Sequence, residues 1–193
     1  MDEYDIYPNL RDGKRMAKAD KIETTVMTVL IILLAALLFC KYFVFETVIV
    51  SGPSMQNTLQ SDDVLLIKKG QDYDYGDIIV FERNTFGADN YDVIKRVIGL
   101  PGDTIKVQGK EVYRNGILLE EKYAYYDETK LYNLIDKECV VGKDEVFVMG
   151  DNRCNSEDSR RYGVIKKSVV MGVVPKFSLK IKDSWLNFIC YVI

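Results

Sequence analysis

The chain has 193 residues, 26 basic and 29 acidic side chains, and no histidine. A formal charge of −3 supplies no overall basic field for nucleic acid, and the length has room for one membrane segment plus one domain of about 150 residues, not for two independent domains. Without imidazole a Ser-His-Asp triad is excluded, and the absence of both histidine and C-x-x-C argues against a structural zinc site.

Residues 1–23 are polar and charged, with Pro8 and Gly13, and read as a short tail that is partly helical or disordered. An almost wholly apolar run follows. Counted from Thr25 to Phe45 it is 21 residues, about 31 Å as a helix, which matches a hydrocarbon core of roughly 30 Å. The expectation is one transmembrane anchor over residues 24–45, with Lys41 near its end and able to snorkel; a core helix of a soluble protein is the competing reading. Arg11, Lys14, Arg15, Lys18 and Lys21 precede the run, whereas Lys41 stands alone after it until Lys68. That asymmetry places the N-terminus in the cytoplasm and the rest outside. The run ends in Phe39-Cys40-Lys41-Tyr42, without a small-x-small site, so it reads as an anchor and not as a cleaved leader.

From residue 46 the pattern changes to short β-branched runs separated by Gly, Asn and Asp. Residues 48–50, 64–68, 78–82, 93–98, 104–107, 112–119, 145–149 and 164–174 read as strands. Asn115-Gly116 between two apolar runs is a strong hairpin signal. The fold class is mainly β: an antiparallel sheet or barrel-like body, residues 46–193, behind one N-terminal transmembrane helix. Residues 120–142 are rich in Tyr, Glu, Asp and Lys without clear periodicity and read as an insertion in that body. Trp185–Ile193 is apolar but too short to span a bilayer; it either packs on the β body, the favoured reading, or lies on the membrane surface. Cys139 and Cys154 in the polar body are read as free thiols, with a disulfide as the alternative in an extracytoplasmic body.

Four segments carry the chemistry. In Ser51-Gly52-Pro53-Ser54-Met55-Gln56-Asn57-Thr58-Leu59, Gly and Pro break a strand into a turn that can expose the Ser54 hydroxyl and free backbone N–H groups for an oxyanion. Alone it is also an ordinary turn, and Met55 an ordinary core residue. Gly76-Asp77-Ile78-Ile79-Val80-Phe81 reads as a turn opening a buried strand. In Tyr91-Asp92-Val93-Ile94-Lys95-Arg96-Val97-Ile98-Gly99-Leu100-Pro101-Gly102-Asp103, strand alternation puts Lys95 on one face with Val93 and Val97. Such a lysine is either buried for a purpose or snorkels to an edge. At the usual pKa only about one lysine in two thousand is neutral at pH 7, so a base role needs a downward shift of roughly three units, which desolvation can supply. Arg96 stays protonated and cannot serve. The fourth segment, Met149 to Arg160 (MGDNRCNSEDSR), follows a strand and is dense in hydrogen-bonding side chains, as a solvated loop would also be.

Together, in this order and behind one span, the four segments resemble the bacterial type I signal peptidases, membrane-anchored serine proteases with a serine-lysine dyad. The resemblance runs from the anchor to about residue 163 and covers residues 120–142 least. It implies Ser54 as nucleophile and Lys95 as general base, Ser156 hydrogen-bonded to the lysine, and Asp158 and Arg160 as a supporting ion pair. Asp151, Asn152 and Arg153 shape the same loop. It also implies an extended substrate bound beside Val50, Met55, Asp92, Val93 and Ile94, with small residues at positions −1 and −3. The implied substrate is the signal peptide of a secreted preprotein. The implied surroundings are the lipid bilayer of the cell membrane and the secretion translocon; no cofactor, metal or nucleic acid is implied. Asn57 stands where the family usually has proline. Gly52 stands where some members have an oxyanion-donating serine, which shifts that task toward backbone N–H groups such as that of Ser54.

A soluble self-cleaving repressor would need a DNA-binding domain that residues 1–23 cannot hold, and no serine has the S-x-x-K spacing of penicillin-binding proteins. A noncatalytic membrane-tethered β module remains the alternative from another class.

Overall fold

A computed structural model of the chain describes residues 8–83 and 91–181. Trp185–Ile193 therefore lies outside the described residues. The chain divides into two compact units at Val44/Phe45.

In the first unit one helix, α1 (Pro8–Phe39), runs on into a π-helical segment, Cys40–Val44. Residues 8–23, read as a partly helical tail, belong to the same helix as the apolar run. Asp20–Val44, 25 residues, is long and apolar enough to cross a membrane. Its threonines are satisfied locally: the hydroxyls of Thr24, Thr25 and Thr28 donate to the carbonyls of Asp20, Lys21 and Thr24, each at 2.8 Å. Such back-bonding lets threonine sit in an apolar helix without an orphaned hydroxyl. Phe45, counted with the span in the sequence, is instead the first residue of a strand.

The second unit is mainly antiparallel β, as the strand-and-turn spacing requires. Its strands are β1 (Phe45–Ile49), β2 (Val64–Lys69), β3 (Ile78–Arg83), β4 (Tyr91–Gly99), β5 (Thr104–Gln108), β6 (Glu111–Arg114), β7 (Ile117–Leu118), β8 (Lys137–Val140), β9 (Glu145–Met149), β10 (Ile165–Lys166) and β11 (Val170–Val174). One sheet has the order β1-β2-β11-β3-β4-β9-β10 and the other β7-β6-β5-β8. Two short helices, α2 (Ser159–Tyr162) and α3 (Lys176–Ile181), accompany them.

The large sheet is buried on both faces where β3 and β4 cross it. Ile78 and Val80 of β3 join Val48, Val50, Met55 and Leu59 in one apolar cluster, while Ile79 and Phe81 join Val93, Val97 and Val148 in another. Period-two alternation sends successive side chains to opposite faces, so a strand apolar at every position must have cover on both. A third cluster, including Ile98, Ile105, Val107, Phe147 and Met149, draws on both sheets. Each fully buried aliphatic side chain contributes about 1.5–3 kcal/mol, so β3 and β4, buried over most of their length, are among the best-stabilised strands of the sheet.

The hairpin at Asn115-Gly116 forms, with φ of 52° and 80° at its two central residues, as a type I′ turn demands. Two expectations change. Residues 164–174 do not form one strand: a 3₁₀ turn, Lys167–Val169, splits them into β10 beside β9 and β11 between β2 and β3. The polar run Lys166-Lys167-Ser168 interrupts the apolar pattern there. Residues 120–142 contain a 3₁₀ segment, Glu128–Asn133, and the edge strand β8, whose side chains are half-buried or exposed and so carry little apolar alternation.

Candidate active site

Ser54 sits in the turn that follows β1. Val50 is buried and tied on both sides, its N–H donating to Asp63 O and its carbonyl accepting from Asp62 N, each at 2.9 Å. Gly52 has φ of +83°, a region costly for a side-chain-bearing residue, and a Cβ there would face open space, so backbone conformation and not room selects glycine. Met55 and Leu59 then plunge into the first apolar cluster. Two buried anchors on one side and a tied valine on the other hold the partly exposed Ser54 between them.

Lys95 lies in β4 between β3 and β9 and is 4% exposed. Its Nζ is hydrogen-bonded to Ser54 Oγ at 2.7 Å and donates to Ile94 O at 2.9 Å. Burial is the main cause that lowers its pKa from 10.5 to about 8; Arg83 and Arg160 push the same way, and Asp158 and Asp151 oppose them. With that value roughly one lysine in ten is neutral at pH 7, against one in two thousand for a free side chain. A neutral amine within hydrogen-bond reach of a hydroxyl can take its proton.

The loop after β9 packs behind this pair. Asn152 N donates to Ser54 O at 3.0 Å and Asn152 Nδ2 to Pro53 O at 3.2 Å. Gly150 fits where no side chain would: a Cβ there would overlap Ser54 O and Ser156 Oγ. Asp158 caps α2 through Arg160 N and accepts Gly150 N at 3.0 Å. Arg160 donates to both its oxygens, at 2.8 and 2.7 Å. Burial alone would raise the Asp158 pKa, but the Arg160 guanidinium outweighs it and holds the carboxyl below its ordinary value. Asp151, fully buried, takes a second guanidinium in the same forked way, from Arg96 at 2.8 and 2.6 Å, and also accepts the Thr58 hydroxyl.

The hydrogen bond from Ser156 to Lys95 implied by the resemblance is not formed. Lys95 Nζ is taken by Ser54 Oγ and Ile94 O, and Ser156 Oγ is buried against Gly150 without a partner at bonding geometry. It lies near enough to Asp158 to help hold that carboxyl low.

Ser54 and Lys95 open into a cleft of about 450 Å³ whose walls include Val50 and Met55 on one side and Asp92, Val93 and Ile94 of β4 on the other. Ser156, Asp158 and Arg160 do not line it. Burial, then the charges of Glu46 and Glu82, raise the Asp92 pKa. Arg83, Asn155 and Glu157 also line the cleft and were not singled out in the sequence. Arg83 ends β3 opposite Tyr91 of β4, which also lines the cleft, and its guanidinium is fixed 4.1 Å over the Tyr162 ring. Cys139 and Cys154 are free thiols. Among the described residues no cluster of three His, Cys, Asp or Glu side chains could hold a metal ion.

The family model described as signal peptidase, peptidase S26, matches residues 22–178. The signal peptidase I of Bacillus caldolyticus is 39% identical over 149 residues, 69% of this chain and 79% of that protein. Signal peptidase I U of Bacillus subtilis (strain 168) is 38% identical over 155 residues, 75% of this chain and 81% of that protein. A crystal structure of a signal peptidase I from Enterococcus faecalis V583 is 30% identical and covers 54% of this chain and 97% of its own, with a TM-score of 0.45.

Proposed function

Because the chain belongs to the S26 signal peptidases, serine peptidases that remove signal peptides, we propose that Ser54 is its nucleophile and Lys95 its general base. The observation that carries this reading is the 2.7 Å hydrogen bond between Lys95 Nζ and Ser54 Oγ in a site where the lysine is buried and its pKa lowered to about 8.

Neutral Lys95 accepts the Ser54 proton as Oγ attacks the scissile carbonyl, and the lysinium so formed protonates the departing amine. Water, deprotonated by the same lysine, then attacks the acyl-enzyme, and the proton returns to Oγ as the ester bond breaks. The bond from Nζ to Ile94 O keeps the amine aimed while its proton count changes. The Ser54 backbone N–H serves the oxyanion, since Gly52 brings no hydroxyl. Asp158 and Arg160 act from behind the loop, fixing Gly150 and thereby the Ser54 carbonyl.

The substrate lies as an added strand between the chain before Ser54 and the chain before Lys95, with small residues at −1 and −3 against the apolar wall of Val50, Met55, Val93 and Ile94. The apolar segment within Asp20–Val44 anchors the chain by a single span with its N-terminus in the cytoplasm, and the unit that begins at Phe45 is the catalytic body outside. Cleavage then occurs at the lipid surface, beside the secretion translocon. The test is cleavage of a purified preprotein by the intact chain and by Ser54→Ala, Lys95→Ala and Lys95→Arg. All three variants should be inactive, the arginine because its charge cannot be removed; cleavage equal to the parent's in any of them refutes the assignment.

A further inference from the structure

Residues 120–142, which carried no role in the sequence, dock on the loop behind the nucleophile. Tyr125 N donates to Asp151 O at 2.7 Å and Arg153 N donates to Tyr125 O at 2.9 Å, so a short stretch of the insertion runs parallel to the loop and pairs with it. Glu121 accepts both arms of the Arg153 guanidinium, at 2.6 and 2.8 Å, in a site where the two side chains are 7% and 1% exposed. The same guanidinium donates through Nε to Gly150 O at 3.1 Å. Gly150 is the residue that packs against the Ser54 carbonyl.

Tyr123 stands between the two arginines of this region. Its hydroxyl donates to Glu121 Oε1 at 3.0 Å, and its ring lies 4.0 Å from the Arg96 guanidinium and 6.0 Å from that of Arg153. Arg96 is the neighbour of Lys95 on β4 and the forked partner of Asp151. Contacts from Glu121 therefore reach Ser54 through Arg153 and Gly150, and contacts from Tyr123 reach the strand that carries Lys95.

We propose that Glu121 and Tyr123 are positioning residues for the reaction, the segment Glu121–Tyr126 acting as a clamp that sets the loop on which Ser54 rests. Neither side chain lines the cleft, so the clamp acts on the geometry of the attacking pair and not on substrate binding. The inference rests on Ser54 being the nucleophile. A small displacement of an attacking group can cost about 10²-fold in rate without a change in binding.

The experiment measures kcat and KM of the full chain in detergent micelles on a preprotein, with thermal melting of each variant as a check on folding. Glu121→Gln, which keeps one acceptor and removes the charge, and Tyr123→Leu, which removes the ring, should each lower kcat by about tenfold or more with KM within about twofold. Tyr123→Phe, which keeps the ring, should restore kcat to within about threefold of the parent. Folded variants with parental kcat overturn the proposal, and so does a loss confined to KM. Should Glu121→Gln not fold, Glu121→Asp decides in its place, since it keeps the buried charge but shortens the reach; parental kcat then overturns it. Failure of all these variants to fold overturns it as well, because the segment would then be a stability element alone. Ser54→Ala, assayed alongside, separates the two ideas: activity in that variant removes the nucleophile assignment, whereas an inactive Ser54→Ala beside unaffected clamp variants removes only the clamp.

Discussion

Lys95 Nζ and Ser54 Oγ are 2.7 Å apart, although 41 positions separate the residues in the chain. The lysine comes from the middle of a buried strand and the serine from a turn pinned by Met55 and Leu59, so neither side chain can move far without disturbing an apolar cluster.

The rate should rise with pH through about 8. The proposed base is the neutral amine of Lys95, and its neutral fraction grows as pH passes its lowered pKa. Arg83 is one of the charges that lowers that pKa, so Arg83→Gln should move the acid limb of the kcat/KM profile to higher pH. An unmoved limb would show that the fixed charge over Tyr162 is not felt at Lys95.

Lys95→Met should be inactive but more stable at neutral pH. The folded-state pKa of about 8 lies below the unfolded value of 10.5. Below pH 8 the lysine is charged in both states and the folded protein bears the burial penalty, about 3 kcal/mol at most. Between pH 8 and 10.5 the native state has lost the proton while the unfolded state keeps it, so stability rises with pH across that window. Urea denaturation at pH 7 and pH 10 should show this rise in the parent and its disappearance in the variant.

Gly150→Ala should disable the site while leaving the β body folded. The added methyl would overlap both Ser54 O and Ser156 Oγ, and relief requires the Ser54 turn or the loop to shift. A loss of about 10²-fold in kcat with little change in KM is expected from steady-state kinetics.

Asp151→Ala should be felt first as instability. It leaves the Arg96 guanidinium without its forked partner in a site where the Asp151 side chain is fully buried. Breaking a buried pair in this way costs about 3–5 kcal/mol. A lowered melting temperature is the readout, and an unchanged one would mean that water reaches Arg96.

Much of this was legible from residue types and spacing. Strand alternation placed Lys95 with Val93 and Val97, and in the fold those two valines share one apolar cluster while Ile94 belongs to another. The Asn115-Gly116 turn and the apolar run before Phe45 were readable for the same reason: each is decided by neighbours within a few positions. The clamp at Glu121 and Tyr123 was not readable, because those side chains are matched to the distant Arg153 and Arg96 and show no periodicity of their own. The break at Lys167–Val169 was likewise hidden, since β10 and β11 serve different neighbours in one sheet.

Residue types and their spacing were enough for the class of molecule: an apolar segment of membrane-crossing length, a mainly antiparallel β body, and a chain with no imidazole to offer as a base. Those are local properties of composition, period and residue chemistry. It took the folded chain to bring Lys95 to Ser54, to pack Ser156 against Gly150 instead of the lysine, and to pair the insertion with the loop behind Ser54. Each depends on contacts between residues far apart in the chain, and burial, which lowers the Lys95 pKa, exists only once those strands have closed around it.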